Sequence, residues 1–325
     1  MKLAVTGSSG HLGEALVRVL RGDGHVVTGI DLMSSPFTTH AGSIADRAFV
    51  RGALAGVESV IHTATLHKPH VASHAKQEFV DTNVTGTLVL LEEAVAAGAA
   101  SFVFTSTTSA FGHANAAPPG APAAWITEDV VDVPKNIYGV TKHAAEDVCE
   151  LVHHEHGLPV VILRTSRFFP ELDDRDDVRA EFADANLKAN EYLHRRVDVE
   201  DIVHAHVLAI ARACELGFAR YIITATTPFT RDELPELGRD AASVVRRHYR
   251  DVDAVYARLG WRLFPRIDRV YVNARARAEL GWTPRYDFRR VLDLVAAGED
   301  PRSSLARTIG AKGYHAEATG VYTTR

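Results

Sequence analysis

The stretch NIYGVTK, residues 136–142, sets a phenol and an ammonium four positions apart, Tyr138 and Lys142. On a helix that spacing puts both groups on one face, one turn apart. A cation beside a phenol can prepare it to move a proton. The same spacing also suits an ordinary solvated helix face, so the pair by itself leaves both readings open.

A second set of candidate residues stands at the start of the chain, where KLAVT runs into GSSGHLG. Gly7, Gly10 and Gly13 separate an apolar run from a helical one that carries Leu12, Ala15, Leu16, Val19 and Leu20 on one face. Glycines without Cβ atoms let the chain turn tightly and bring a pyrophosphate against the N–H groups at the helix's positive end. A plain glycine-rich turn would share this pattern. Asp31 argues for more, because it ends the next apolar run, HVVTGID, where a carboxylate accepts hydrogen bonds from an adenosine ribose. That carboxylate repels a 2′-phosphate and no arginine follows directly in DLMSSP, so the expected cofactor is NAD rather than NADP.

These residues need a frame. Apolar runs such as ESVIHTAT, SFVFTST and PVVILR alternate with helical stretches around NVTGTLVLLEEAVAAG and from Tyr138 to about His156. Strands this apolar, separated by amphipathic helices, predict an α/β fold with a doubly wound parallel sheet covered on both faces. Ligands of such sheets bind beyond the carboxyl ends of the strands. There the sequence places the glycine turn, Asp31, Thr63 to Thr65, Thr105 to Thr107, Arg164 and Arg167.

Composition narrows the function. The chain has 325 residues, 46 % hydrophobic and 24 % charged, which is ordinary for a globular enzyme-sized protein. Its net charge of -5 leaves no broad basic surface to gather nucleic-acid phosphates, so nucleic acid is not an expected partner. Two cysteines, Cys149 and Cys214, make no disulfide framework. The first residues do not read as a signal peptide, and no run approaches the roughly 20 apolar residues of a membrane span. The expectation is a cytoplasmic protein without a membrane partner.

Taken together, TGSSGHLG, Asp31, HTAT, NVTGT, FVFTSTTSAFG, YGVTK and the late LGWTP resemble the extended short-chain dehydrogenase/reductase family, also called the NAD-dependent epimerase/dehydratase family. The match runs from residue 1 to about residue 290 and rests on the order and spacing of several motifs. The resemblance implies a Rossmann-type domain over residues 1–165 and 196–226, and a smaller substrate-binding domain over 166–195 and 227–325. It implies Tyr138 as general acid/base, with Lys142 and the positive nicotinamide favouring phenolate, and Thr107 as the hydroxyl that bonds the substrate oxygen. The implied cofactor contacts are Gly7, Gly10, His11, Leu12, Gly13, Asp31, Ile44, Thr63, Ala64, Thr65, Asn83, Thr105, Tyr138 and Lys142. Ser43 replaces an aspartate that many relatives hold near the adenine. Packing of the NVTGT and Tyr138 helices implies a homodimer.

Departures from the family pattern narrow the reaction. Relatives that dehydrate nucleotide sugars carry acidic residues where this chain has Thr108 and Ser109, so elimination lacks its usual acid and base. The segment from Pro170 to HRRVDVEDI is shorter than the insertion that cradles a nucleotide diphosphate, and His194 falls where a diphosphate-binding arginine is expected. After the sixth strand the chain reads RTSRFFPE, similar to uronate dehydrogenase, which places Arg167 beside substrate. A guanidinium there binds carboxylate or phosphate through paired hydrogen bonds, unless it is occupied by the acidic run ELDDRDD. His67 and Thr108 complete the expected substrate contacts, with Thr107 and Arg167.

The leading expectation is an NAD-dependent oxidoreductase acting at a hydroxyl or carbonyl carbon of a small polar, anionic, sugar-like substrate. A nucleotide-sugar 4-epimerase that retains NAD is the first alternative, and a non-catalytic dinucleotide sensor is the second. Seventeen histidines include the cluster His67, His70 and His74 and the run HHEH, but neither has metalloprotease spacing, so no metal is expected. The loop Gly112 to Pro134 is long enough to border an active site, with Trp125 as its apolar anchor. The tail after about residue 300 shows no clear period.

Overall fold

The computed structural model describes residues 1–115, 117–173 and 175–312. Ala116 of the long loop, Asp174 of the acidic run and residues 313–325 of the tail lie outside the described residues.

The apolar runs form strands β1 (Lys2–Thr6), β2 (Val26–Asp31), β3 (His40–Ala41), β4 (Ser59–His62), β5 (Ser101–Thr107), β6 (Ala124–Ile126), β7 (Val160–Thr165), β8 (Phe218–Ile223) and β9 (Arg269–Tyr271). Seven of them make one sheet in the order β3-β2-β1-β4-β5-β7-β8, and β6 pairs with β9 in a second. Pairing from β3 across to β5 is parallel, with Leu3 opposite Val27 on one side and Ser59 on the other. The chain leaves β1 towards β2 and β3, then returns to the opposite side of β1 with β4. That reversal is the switch point at which doubly wound sheets take ligands.

Why these runs are strands is visible in their burial. β4 and β7 are buried at every residue, as strands covered on both faces must be. One face packs Ala4, Ile30, Val60, Phe102, Phe104 and Ile162 against Val50, Leu90, Leu91, Ala145, Cys149 and Val152 of the covering helices. The expected helix around NVTGT is split: a wide π-helical turn, Val80–Thr85, precedes the regular helix Gly86–Ala96. Ile44 packs directly onto Gly86, where a Cβ would stand 2.7 Å from Ile44 Cδ1.

The chain divides into two compact units. The first comprises residues 1–110, 134–164 and 202–221, and the second comprises 111–133, 165–201 and 222–325. The expected division left 111–133 with the first, but this stretch carries β6, which pairs with β9. Trp125 sits in β6 and packs against the core of the second unit, with Arg231 over its ring. That core is built on Leu193, Leu237, Val244, Phe288 and Leu292. The tail contains one short helix, Ser304–Ile309. No helix among the described residues is long and apolar enough to cross a membrane.

Candidate functional site

Beyond β1 the chain turns at Gly7, whose φ of +71° is the left-handed region that favours glycine. A Cβ on Gly7 would meet Ala64 N and Thr63 Oγ1 at 2.8 Å, so the turn lies directly against the chain leaving β4. Gly13 is tighter still: its Cβ would stand 1.9 Å from the Gly7 carbonyl oxygen. These glycines press the start of the helix His11–Gly22 onto the turn and leave backbone where side chains would stand. A backbone cradle of that kind fits a pyrophosphate. Asp31 closes it from β2, its carboxylate accepting from Ser9 N and Met33 N at 2.9 Å each. A carboxylate oriented by two N–H donors keeps lone pairs for ribose hydroxyls. The Ser43 hydroxyl accepts from Ala45 N, and Ile44 is a core residue against Gly86.

Tyr138 and Lys142 stand on the helix Ile137–His156, which Asn136 caps by accepting from Gly139 N at 3.0 Å. Gly139 allows this helix to approach the turn after β5, since a Cβ would lie 2.9 Å from Ser109 O. The approach brings the Tyr138 and Thr107 hydroxyls into a hydrogen bond. Thr107 Oγ1 also accepts from Ser109 N. Lys142 donates to the Thr105 carbonyl at 2.7 Å, with its ammonium 3.8 Å from the centre of the Phe104 ring. Tyr138, Lys142 and Thr107 are all buried.

Burial in this pocket opposes the charged form of both groups. Burial pushes Tyr138 up to about 12, with the Thr107 hydrogen bond opposing it. Burial also draws Lys142 down to about 7, while Glu146 one turn on favours its charge. Desolvation outweighs the ion–dipole help at both groups.

Supporting residues tie these motifs together through partners from distant elements. His62, fully buried at the end of β4, links Thr6 at 2.7 Å and Thr87 at 2.9 Å. Thr87 donates to Asn83 O, so His62 Nε2–H must donate to Thr87 and Nδ1 must accept from Thr6. Burial and the Lys142 charge hold His62 well below its usual value. Thr6 Oγ1 accepts in turn from Thr63 N and Ala64 N, so the histidine fixes the loop that faces the glycine turn. Asn83 holds that loop from the other side: it accepts from Thr65 and Leu66 N, and donates to Leu66 O and Thr141. Arg164, expected on the polar rim, is instead buried and paired with Glu146 at 2.6 Å, where Ser106 and Arg220 also bind. Its guanidinium is committed to the interior. His67, His70 and His74 stack edge to face, with His67 N donating to His70 Nδ1.

Arg167 belongs to the second unit. Its Nη1 lies 2.5 Å from Asp173 and 3.0 Å from Glu191, so the acidic run does engage it. Burial opposes the charge of Glu191, but Arg167, Arg195 and Arg196 overcome that and hold it down at about 2. Arg195 and Arg196 also act on Asp268 and Glu171 respectively. His194 is no cation: burial and then the Arg195 charge push it down to about 3, and its Nδ1 donates to Arg269 O.

Comparison with known proteins agrees with this geometry. The model of the NAD dependent epimerase/dehydratase family matches residues 3–217. A dTDP-glucose 4,6-dehydratase of Streptomyces griseus is 32 % identical, covering 88 % of this chain and 90 % of that protein. An uncharacterised protein, y4nG of Sinorhizobium fredii, is 36 % identical over 49 % of this chain; the matched stretch spans only 39 % of y4nG. Among solved structures, a short-chain dehydrogenase/reductase superfamily protein of Agrobacterium tumefaciens, crystallised with bound NAD, shares the fold. Its TM-score is 0.65 at 23 % identity, over 95 % of this chain and 99 % of that one.

Proposed function

The chain belongs to the NAD dependent epimerase/dehydratase family, and on that premise we propose that it is an NAD-dependent oxidoreductase of a small, polar, anionic sugar-like substrate. The observation that carries the proposal is the buried hydrogen bond between Tyr138 and Thr107, with the Lys142 ammonium one turn away at the end of β5. Gly7, Gly10 and Gly13, with His11 and Leu12 opening the helix, would hold the pyrophosphate of NAD, and Asp31 its adenosine ribose. Ile44 and Thr63 to Thr65 would line its path, and Thr105 and Lys142 would meet the nicotinamide ribose. Bound NAD supplies the carbon that accepts or gives hydride, and in its oxidised form a positive charge.

In reduction, Tyr138 gives its phenolic proton to the substrate oxygen as the carbonyl becomes a hydroxyl, and Thr107 keeps that oxygen in line. In oxidation, Tyr138 takes the proton. Burial makes that direction harder, and the Lys142 ammonium one turn away is the group of this chain that would favour phenolate. His67 and Thr108 would contact substrate, and Arg167 would meet its carboxylate. Elimination of the kind named for the S. griseus relative lacks an acid and a base here, because Thr108 and Ser109 offer only hydroxyls.

The test is incubation with NAD+ and a panel of free sugars, uronic acids and nucleotide sugars, following NADH absorbance with product analysis. Net NADH from a sugar acid is the expected result. Inversion of a nucleotide sugar without net NADH would make the protein an epimerase that uses the same triad, and NAD binding with no turnover would make it a sensor. Tyr138→Phe should bind cofactor normally and lose about 10²–10⁴-fold in turnover; full activity in that variant would remove the acid/base role. A dimer through the Gly86–Ala96 and Ile137–His156 helices is part of the proposal, and sedimentation at micromolar concentration checks it.

A further inference from the structure

We propose that His206 is a positioning residue for the Tyr138 and Lys142 site: by accepting the hydroxyl proton of Thr105 it fixes the end of β5, whose Thr105 carbonyl holds the Lys142 ammonium. The inference rests on the reading of Lys142 as part of the reacting centre. It adds a residue that neither motif spacing nor proximity in sequence indicates, since Thr105 and His206 are 101 positions apart.

The hydrogen-bond directions follow from the geometry. His206 is fully buried on the helix Val199–Leu216, and its Nδ1 lies 2.8 Å from Ile202 O, one turn earlier. A carbonyl can only accept, so Nδ1 carries the proton and Nε2 presents a lone pair. Thr105 Oγ1, 2.7 Å from Nε2, must therefore donate to it. Burial keeps the imidazole neutral, drawing its pKa down to about 4. On the β4 side the ladder ends at His62 opposite Phe104, so Thr105 is the first residue of β5 past the reach of β4. His206 secures that residue by its side chain, while Lys142 uses its carbonyl at 2.7 Å. With its hydrogen given to His206, the Thr105 hydroxyl can meet a cofactor only as an acceptor.

The other charged and titratable groups around Lys142 are Glu146 and Cys149 on its own helix and His62 on β4; Arg164 and Arg220 act on it through Glu146. The variants below change none of these. The full chain, labelled with ¹³Cε-lysine, is titrated by NMR to follow Lys142, and NAD+ affinity is measured in parallel by calorimetry. His206→Leu and Thr105→Val should each lower the Lys142 midpoint by about one unit and weaken NAD+ about tenfold. In the Lys142 midpoint the double variant should show no more than either single change, because both remove the same bond; NAD+ affinity is compared between His206→Leu and His206→Gln, which leave the Thr105 hydroxyl in place. His206→Gln, whose amide oxygen can accept from Thr105, should restore both quantities. An unmoved Lys142 midpoint in folded His206→Leu, additive effects in the double variant, or failure of glutamine to restore would each overturn the proposal. Should His206→Leu not fold, Thr105→Val, which keeps the shape of threonine, decides on the same midpoint. Movement of the midpoint as expected, in a protein that turns over no sugar, would leave the positioning role standing and remove the redox reading instead.

Discussion

Lys142 shows how a single buried cation can cost stability. Its pKa falls from the ordinary 10.5 of a lysine to about 7, chiefly by burial. For a depressed lysine, the favourable situation exists above the unfolded value, where both states are neutral, and is lost as pH falls towards the folded value. Lys142→Met should therefore raise the melting temperature at pH 6, by a margin that stays constant below about 7 and narrows as pH approaches 10.5. Thermal melts across that window check it, and a margin independent of pH would mean the lysine is not held against its charge. Tyr138 has the opposite sense: its pKa is raised, so its contribution is present below 10 and lost as pH rises towards about 12. That Tyr138 and Lys142 share one helix was legible, because four-residue spacing fixes it. Their electrostatic state was not, because it depends on how completely neighbours exclude water, and spacing carries no information about that.

At the scale of elements, two glycines do different work. Gly13 cannot carry a Cβ without meeting the backbone of Gly7 at 1.9 Å, so Gly13→Ala should destabilise by about 1–3 kcal/mol and abolish NAD+ binding. Gly139 sits inside a helix, where alanine is intrinsically better by about 1 kcal/mol, but its Cβ would stand 2.9 Å from Ser109 O. Propensity and crowding then nearly cancel in stability, while the helix moves off the turn that bears Thr107. Gly139→Ala should melt within a few degrees of wild type yet lose about tenfold in kcat; equal kcat would show that the close approach does not set the Tyr138 to Thr107 bond. The sheet, its covering helices and the glycine turn could be anticipated, because period and punctuation encode them locally. The pairing of β6 with β9 could not: three-residue strands 145 positions apart, as with Ala124 and Arg269, leave no periodic trace. The same holds for His62 and His206, whose roles are defined by partners from distant elements.

For the molecule as a whole, the proposed roles are spread over both units, with His67, Thr107 and Thr108 in the first. Every residue proposed to hold NAD lies in the first, whereas Arg167 lies in the second with Asp173 and Glu191. Losing its guanidinium would leave Asp173 short of a cation, while Glu191 would keep Arg195 and Arg196. Because Arg167 is about one-third exposed, solvent screening reduces that cost, and Arg167→Gln should destabilise by on the order of 2 kcal/mol. The affinity for NAD+ should not change. KM for an anionic sugar acid should rise about tenfold or more, as expected when one charge-assisted bond is removed, while KM for a neutral sugar stays within about twofold. Equal rises for both substrates would mean that Arg167 serves only to neutralise the carboxylates of its own unit. In that event the contact with an anionic substrate would pass to Arg195, whose guanidinium pairs with Glu191 at 2.9 Å, and Arg195→Gln would then be the variant that separates anionic from neutral substrates.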